Sequence, residues 1–234
     1  METRQENYKY TTNVITNLRP IEKLDKNEQI LYKVIKRLID IMAGIIGLII
    51  LIPLIIIVYI GNAISKDKGP IFYMQKRVGL NGKNFKIYKF RTMVIGADKK
   101  LRKYLKEHPE EAKEYEKYKK LKSDPRITKF GMFLRKTSLD EFPQFINIIK
   151  GEMSLVGPRP YLLKEKKEMG KYYRHIIKCK PGLTCIWQVN GRSNVTFADR
   201  LEMDMEYIKI KNIKTDIKLI LKTFVKIFKK EGAI

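Results

Sequence analysis

Two adjacent acidic residues, Asp140 and Glu141, directly precede an apolar stretch at residues 142–149. Together with Ser138 they fit a capping box, which predicts a helix start whose positive end favours the carboxylates. The position of these carboxylates also allows a functional interpretation. A carboxylate at a helix start is kept ionised beside backbone amides that bind phosphate, which suits a nucleophile that attacks phosphorus. The residue types alone leave both interpretations open.

A second candidate for chemistry is Arg159, which stands between two prolines. Prolines on both sides stiffen the backbone, so the guanidinium could grip a diphosphate through two parallel hydrogen bonds. The alternative is an ordinary proline turn with an exposed arginine. Farther along, residues 190–191 read Asn-Gly, which is a strong turn signal and predicts a simple hairpin.

The composition excludes several classes of protein. Hydrophobic residues make up 44% of the 234, which is too many for a mostly disordered chain. Two cysteines, Cys179 and Cys185, are too few for a disulfide scaffold. With only two histidines and no closely spaced cysteine pair, a zinc or haem centre is not expected.

The charge balance is strongly basic, with 49 Lys and Arg against 25 Asp and Glu and a net charge of +24. Such a surface attracts anions, and nucleic acid, anionic lipid and phosphorylated small molecules are the three classes to consider. A membrane-anchored nucleic-acid binder and a non-catalytic membrane scaffold therefore stand as alternatives to an enzyme. No helix-turn-helix, zinc-finger or RNP-like motif is visible in the sequence, and we expect no nucleic acid as partner.

One segment departs from the basic pattern: residues 38–60 contain no Lys or Arg, and Asp40 is their only charge. As a helix this segment would be about 34 Å long, enough to cross a hydrocarbon core of ~30 Å. Pro53 lies in its middle, and basic residues flank both ends. A helix that spans the membrane prefers cationic residues at its cytoplasmic end only. The pattern therefore favours a re-entrant hairpin broken at Pro53, with both ends on the cytoplasmic face. A straight span remains the alternative, because proline is tolerated in such helices.

The remaining elements follow from local signals. Residues 71–78 and 85–93 predict a β-hairpin around the turn at residues 79–82. Residues 98–122 predict two solvated helical pieces, separated at His108-Pro109. The C-terminal segment predicts an amphipathic helix with an apolar face beside a lysine stripe. That face suits either an anionic membrane surface or the core of the protein itself.

The order of these features resembles the bacterial sugar transferase family, the monotopic polyprenyl-phosphate phosphoglycosyl transferases. The resemblance covers residues 32–234 and is carried by KRLID, GPIFYMQKRVG, FKIYKFRTM, SLDEFPQF, GEMSLVGPRP, KPGLT and WQVNGR in this order. The stretch between FRTM and SLDE resembles the galactose-1-phosphate and glucose-1-phosphate transferring branch. Cys185 departs from the family pattern, which has glycine after PGxT.

The resemblance implies a mostly helical α+β fold at the cytoplasmic face of the inner membrane. Its parts would be a polar N-terminal arm at residues 1–32, a re-entrant membrane helix at residues 33–65, and a cytoplasmic catalytic domain at residues 66–234. That domain would carry a short β-hairpin and amphipathic interfacial helices. The expected partners are a UDP-sugar donor, a polyprenyl phosphate acceptor, anionic membrane lipid and a second copy of the chain in a homodimer.

The resemblance also implies roles for individual residues. Asp140 would attack the sugar-linked phosphorus to form a phosphosugar-enzyme intermediate, and Glu141 would assist the metal or a proton transfer. Mg²⁺, held by Asp140, would be the cofactor. Phosphate and substrate binding would fall to the cationic residues nearest these motifs: Arg135, Arg159, Lys86, Lys89, Arg91 and Arg192.

Overall fold

The computed structural model describes residues 25–65, 69–121, 123–190 and 195–228. Its α-helices, in chain order, are α1 (Lys26–Ile64), α2 (Ala97–Glu107), α3 (Pro109–Tyr118), α4 (Lys129–Lys136), α5 (Gln144–Ile149), α6 (Lys166–Met169), α7 (Tyr173–Ile176), α8 (Ile186–Asn190), α9 (Phe197–Ile210) and α10 (Ile213–Phe228). Its strands are β1 (Phe72–Val78), β2 (Asn84–Phe90), β3 (Ser154–Val156) and β4 (Gly182–Thr184). Residues 1–24 of the predicted arm and Arg192 lie outside the described residues.

Helix α1 begins at Lys26, so residues 26–32 of the predicted polar arm form its first turns. Asp25 and Glu28 form a capping box, with Glu28 N donating to Asp25 Oδ1 over 2.8 Å and Asp25 N donating to Glu28 Oε2 over 3.1 Å. Pro53 lies inside the helix and does not end it. The structure therefore does not show the helix break predicted at Pro53. A proline removes one backbone donor, and the hydrogen bonds of its neighbours are enough to carry the helix through.

One face of α1 packs on the rest of the protein, chiefly on α5. Gly47 lies against the ring of Phe145 and Gly61 against the ring of Phe130, and a Cβ atom at either glycine would collide with the ring beneath it. The opposite face is an exposed apolar stripe rich in isoleucine, from Ile45 to Ile64. Among the described residues α1 is the one helix whose length and composition would allow it to cross a membrane.

The N-terminal half of α1 is held by polar contacts. The carboxylate of Asp40 accepts hydrogen bonds from Ser154 Oγ (2.9 Å) and Leu155 N (2.8 Å), which attaches the helix to β3. Lys36 Nζ lies 2.6 Å from Asp216 Oδ2 of α10, and Arg37 donates to the carbonyls of Ile148 and Ile149 at the end of α5. These contacts satisfy groups that would otherwise be buried without partners.

Strands β1 and β2 form the predicted antiparallel hairpin, with Phe72 opposite Phe90 and Val78 opposite Asn84. The turn is a short 3₁₀ helix at Leu80–Gly82, where Asn81 and Gly82 have positive φ angles of 55° and 77°. Strands β3 and β4 form a second, parallel pair that the sequence analysis did not predict.

Helices α2 and α3 confirm the two predicted helical pieces and their boundary at His108-Pro109. The capping box predicted at Ser138 and Glu141 is wrong. Ser138 has a positive φ of 58° and its side chain makes no capping bond, and a single 3₁₀ turn, Leu139–Glu141, precedes α5. A capping residue has an extended backbone, so the left-handed conformation of Ser138 is not that of a helix cap.

The hairpin predicted around Asn190 is also wrong, because residues 186–190 form helix α8, whose Ile186 and Val189 are buried in the core. The predicted C-terminal helix is confirmed as α10. Some of its apolar residues pack on the protein core and others are free to face a membrane surface. Leu219 packs in the core, whereas Leu221 and Phe224 are exposed. The fold is thus mostly helical, with two small two-stranded sheets.

Candidate active site

A cavity of about 990 Å³ lies between α1, the β1–β2 hairpin, the segment that leads into α5, and helices α8 to α10. Part of its wall is apolar, with residues contributed by α1, α5 and α10: Ala43, Ile46, Ile50, Phe145, Ile220 and Phe224. Another part is strongly cationic: Arg77, Lys89, Arg91, Lys119, Lys120, Arg126, Arg135, Arg159, Lys164 and Arg200. A cavity of this kind suits a ligand that has both an apolar chain and a phosphate group.

Asp140 and Glu141 line this cavity on the 3₁₀ turn. Lys89 of β2 lies opposite both carboxylates, with its Nζ 2.6 Å from Glu141 Oε1 and 3.8 Å from Asp140 Oδ2. The side chain of Asp140 is 11% exposed and that of Glu141 is 29% exposed. The turn therefore presents two carboxylates to the cavity with one shared cation.

The two carboxyl groups differ in acidity because their surroundings differ. Burial, with a further contribution from the charge of Glu141, raises the pKa of Asp140 to about 6 against the opposing effect of Lys89 and Arg135. Burial also acts to raise the pKa of Glu141, but the charge and hydrogen bond of Lys89, with Arg159 and Gln144, outweigh it and lower that pKa. Asp140 is thus mostly ionised near neutral pH and becomes protonated in mildly acidic solution.

Lys89 is positioned by the attachment of β2 to α5. The fully buried Asn147 accepts a hydrogen bond from Tyr88 N (3.1 Å) and donates one to the carbonyl of Lys86 (2.7 Å). The amide thereby fixes the part of β2 that directly precedes the cavity-facing Lys89. Lys86 itself is exposed and is not part of the cavity wall. The structure therefore does not bring Lys86 to the carboxylates.

The other predicted cationic residues reach the cavity in different ways. Arg135 donates from Nε to Thr92 Oγ1 (2.9 Å), which fixes its side chain on the cavity wall near Asp140. Arg91 lines the cavity as well, but it donates to the carbonyls of Pro70 (2.6 Å) and Met93 (3.0 Å) and so also ties the chain on either side of the hairpin.

Arg159 is not the exposed arginine of an ordinary proline turn. Its backbone amide donates to Asp204 Oδ2 over 3.0 Å, and its guanidinium lies 5.6 Å from the centre of the Trp187 ring. Arg200 of α9 approaches the same ring at 5.0 Å. Arg77 of β1 completes the group, and its charge acts on that of Arg159.

The sequence analysis missed Arg77, Arg200 and Asp204. Asp204 is completely buried and accepts hydrogen bonds from the Tyr161 hydroxyl (2.8 Å) and from Arg159 N. Burial raises the pKa of Asp204 to about 7, because it outweighs these hydrogen bonds and the nearby arginines. No sequence signal marks Asp204 or Arg200, since charged residues at their spacing are common along any partly exposed helix.

Within the described ranges, no group of three or more His, Cys, Asp or Glu side chains could hold a metal ion without help. Magnesium ions commonly use only one or two carboxylates and complete their coordination with water and substrate phosphates. The Asp140–Glu141 pair fits that mode of binding. Lys89 is hydrogen-bonded to Glu141 and lies farther from Asp140, so Asp140 is the carboxylate better placed to accept a metal ion.

The family model described as bacterial sugar transferase matches residues 31–230. The chain is 43% identical over 199 residues to the undecaprenyl-phosphate galactose phosphotransferase of Salmonella typhimurium, which covers 85% of this chain and 41% of that protein. It is 34% identical over 213 residues to the UDP-glucose:undecaprenyl-phosphate glucose-1-phosphate transferase of Escherichia coli, covering 86% and 42%. It is 41% identical over 188 residues to the exopolysaccharide production protein ExoY of Sinorhizobium fredii, covering 80% and 83%.

The chain thus spans about two fifths of the length of the first two of these relatives and most of the length of the third. Their names refer to sugar transfer or to polysaccharide production. The comparisons do not support the alternatives of a nucleic-acid binder or a non-catalytic scaffold.

Proposed function

Since this chain belongs to the bacterial sugar transferase family, we propose that it transfers a sugar-1-phosphate from a UDP-sugar to undecaprenyl phosphate and so begins the assembly of a glycan. The observation that carries the proposal is the shared cavity. One wall offers a buried carboxylate among cations, and another is apolar and includes residues of α1. The two substrates differ in the same way, because one is a water-soluble diphosphate and the other is a phosphate on a long hydrocarbon chain.

In the proposed reaction, a carboxylate oxygen of Asp140 attacks the phosphorus that carries the sugar. The bond from that phosphorus to the bridging oxygen breaks, and its electrons leave with uridine monophosphate. A phosphate oxygen of the lipid then attacks the phosphorus of the aspartyl-phosphosugar intermediate, which releases the carboxylate of Asp140 unchanged. Lys89 and Arg135 lie beside Asp140 and would stabilise the charge that develops on the phosphoryl oxygens.

The role that we propose for Glu141 is to hold Lys89 in place. Its hydrogen bond to Lys89 Nζ directs the ammonium group toward Asp140, and its own lowered pKa keeps it ionised for that purpose. The cofactor that we propose is Mg²⁺, bound by Asp140 and the phosphates of the donor. It would supply positive charge between an anionic nucleophile and an anionic substrate.

We further propose that α1 enters the membrane from the cytoplasmic side and does not cross it. Tyr32 and Lys36 near its start contact Asp216, whereas Gly61 near its end packs on Phe130. Because both ends of the helix rest on the same body of protein, a straight span would have to pull one end away from it. The exposed isoleucine face of α1 would then lie in the lipid.

Cysteine labelling in intact cells tests this topology. Single cysteines would replace the exposed residues Lys33 and Ser65, in a chain whose Cys179 and Cys185 are changed to serine and alanine. We expect both sites to resist an impermeant thiol reagent until the cells are opened. Labelling of one site alone in intact cells would demonstrate a spanning helix.

The reaction itself is tested with the purified chain in detergent, with Mg²⁺ and labelled UDP-sugars. We expect uridine monophosphate release that depends on undecaprenyl phosphate, and its complete loss in Asp140→Asn, which keeps the shape of the side chain but cannot attack phosphorus. We expect Glu141→Gln to reduce turnover severely. The matched control is Glu202→Gln, an exposed carboxylate on α9.

Mass spectrometry of the wild-type protein with donor alone should find a sugar-phosphate adduct on Asp140. If Asp140 only stabilised the turn, its replacement would cost about 0.5–2 kcal/mol of stability and leave turnover per folded molecule intact. Near-normal turnover in folded Asp140→Asn, or an adduct on another residue, would refute the assignment.

A further inference from the structure

We propose that Arg77, Arg159 and Arg200 form a preassembled anion site around Trp187, and that this site binds the diphosphate of the nucleotide donor. The inference rests on the proposed function for the identity of the donor. The anion site itself rests on the geometry of the three guanidinium groups.

The three arginines come from distant parts of the chain and meet at one wall of the cavity. Arg159 and Arg200 both contact the Trp187 ring, at 5.6 Å and 5.0 Å from its centre. The charge of Arg159 acts on both Arg77 and Arg200. Neighbouring cations repel one another, so the arrangement costs free energy that a bound anion would offset.

Among the described residues, Glu141, Glu165 and Asp204 act on these arginines, but only from beyond ion-pair distance. In the part of the chain that the structure describes, no Asp or Glu oxygen lies within 4.0 Å of any of the three guanidinium groups. The buried Nε atoms of all three arginines have no hydrogen-bond partner among those residues, and neither has Trp187 Nε1. These four atoms are covered by the protein. The guanidinium groups that line the cavity can offer only their other N–H donors to a ligand rich in acceptor oxygens.

Hydrogen bonds within the protein hold two of the side chains in position before any ligand binds. Arg77 donates from Nη1 to the carbonyl of Pro160 (2.9 Å) and from Nη2 to Gln75 Oε1 (2.6 Å). Arg200 is 4% exposed, and its Nη2 donates to the carbonyls of Tyr118 (3.0 Å) and Val195 (3.1 Å). Each guanidinium is therefore oriented before a ligand binds, and it keeps Nη hydrogens that these bonds do not use. Such preorganisation lowers the entropy cost of binding.

The surroundings of the three arginines favour binding of the nucleotide donor over binding of the lipid acceptor. Arg200 donates a hydrogen bond to the carbonyl of Tyr118 at the end of α3, which like α2 consists mostly of charged residues. None of the described hydrogen bonds or ring contacts of the three arginines involves α1, whose apolar residues form the wall that suits the acceptor chain. A diphosphate carries a negative charge on each of its phosphates and so matches a site of several cations better than a single phosphate does.

The experiment measures binding of UDP to the purified protein by calorimetry, in an Asp140→Asn background that prevents turnover. We expect Arg200→Gln and Arg77→Gln each to weaken UDP binding at least about tenfold, because each loses charge-assisted hydrogen bonds. Arg200→Lys should restore part of the affinity. Arg174→Gln, an exposed arginine outside the cavity, is the matched control and should bind UDP as the parent does. Circular dichroism and gel filtration establish that each variant is folded.

A second measurement assigns the substrate. In the Asp140 wild-type background, the KM for undecaprenyl phosphate should stay within about twofold in both arginine variants, while the KM for the UDP-sugar rises. Unchanged UDP affinity in folded Arg77→Gln and Arg200→Gln would overturn the proposal, and so would a rise confined to the KM for the lipid. If the wild-type chain turned over no UDP-sugar but the variants still lost UDP binding, the proposed function would fail and the anion site would stand.

Discussion

Replacing Lys89 with glutamine should move the acidic limb of the pH–rate profile of the first half-reaction to higher pH. Lys89 Nζ lies 3.8 Å from Asp140 Oδ2, and both side chains are mostly buried, at 26% and 11% exposure. At that distance two unit charges interact by about 1 kcal/mol in a water-like medium and about 4 kcal/mol at the effective dielectric constant of a protein site. The loss of the ammonium charge is then equivalent to a rise of about one to three units in the pKa of Asp140.

The direction of this shift in the pH–rate profile follows from the need for an ionised nucleophile. In the metal-free wild type, burial raises the pKa of Asp140 to about 6, and Mg²⁺ bound there would lower it, so the rate of attack should fall as the pH drops through about 6 or below. Without Lys89 the carboxylate takes up a proton at higher pH, so the fall in rate should begin about one to three pH units higher than in the wild type. The substitution also lowers the maximum rate if Lys89 touches the phosphoryl group, so the informative quantity is the position of the limb, not its height.

The assay is the burst of uridine monophosphate release from donor in the absence of acceptor, measured by rapid quench between pH 5 and 9. Omitting the lipid removes the titration of its own phosphate from the profile. Lys83→Gln, an exposed lysine in the hairpin turn, controls for the loss of one positive charge. An acidic limb at the same pH in Lys89→Gln and the wild type would refute the assignment of that limb to Asp140 and the claim that Lys89 governs its ionisation.

Three further changes test the packing of the fold, each by the shift in thermal or denaturant unfolding in detergent. Gly47→Ala should destabilise the protein by about 1–3 kcal/mol, since the added methyl group collides with an aromatic ring. The control Ile49→Ala, on the exposed face of α1, should change the stability little. Equal effects of the two substitutions would contradict the packing of α1. Lys36→Gln should cost about 3 kcal/mol, because it leaves the buried carboxylate of Asp216 without its cation, and a neutral result would show that the tyrosine hydroxyls suffice. Thr128→Ala should cost about 0.5–2 kcal/mol through loss of the cap of α4, and the wild-type midpoint in this variant would contradict that role.

The elements that could be predicted from the sequence are those specified by neighbouring residues. The β1–β2 hairpin, the α2–α3 boundary at His108-Pro109 and the amphipathic α10 all follow from periodicity and turn residues within a short window. The errors arose where a local pattern has two structural solutions. The spacing of Ser138 and Glu141 fits a capping box, but it equally fits a serine in a left-handed turn, and only the packing around the turn decides between them. The parallel β3–β4 pair has three residues per strand and no local signal at all.

In the candidate site, too, local sequence patterns did not determine which residues come together. The family resemblance named both Lys86 and Lys89 as candidates. Residues three apart on a strand point to opposite faces, so only one of them can face the cavity. Arg77 was noted only as one of the basic residues that flank the apolar segment, and Arg200 was not singled out at all. Their meeting with Arg159 depends on contacts between β1, α9 and α8 that no local pattern encodes.

The position of α1 explains why a single cavity can serve two such different substrates. Ile46 and Ile50 line the cavity from one side of the helix, while the isoleucines around them remain exposed on the other. Phe224 of α10 is both exposed and part of the cavity wall, so the apolar surface outside is continuous with the apolar wall inside. If α1 lies in the membrane as we propose, the acceptor can bring its phosphate to Asp140 while most of its chain stays in lipid. The desolvation cost of lifting a polyprenyl chain into water is then avoided, and the cationic wall is left to the soluble donor.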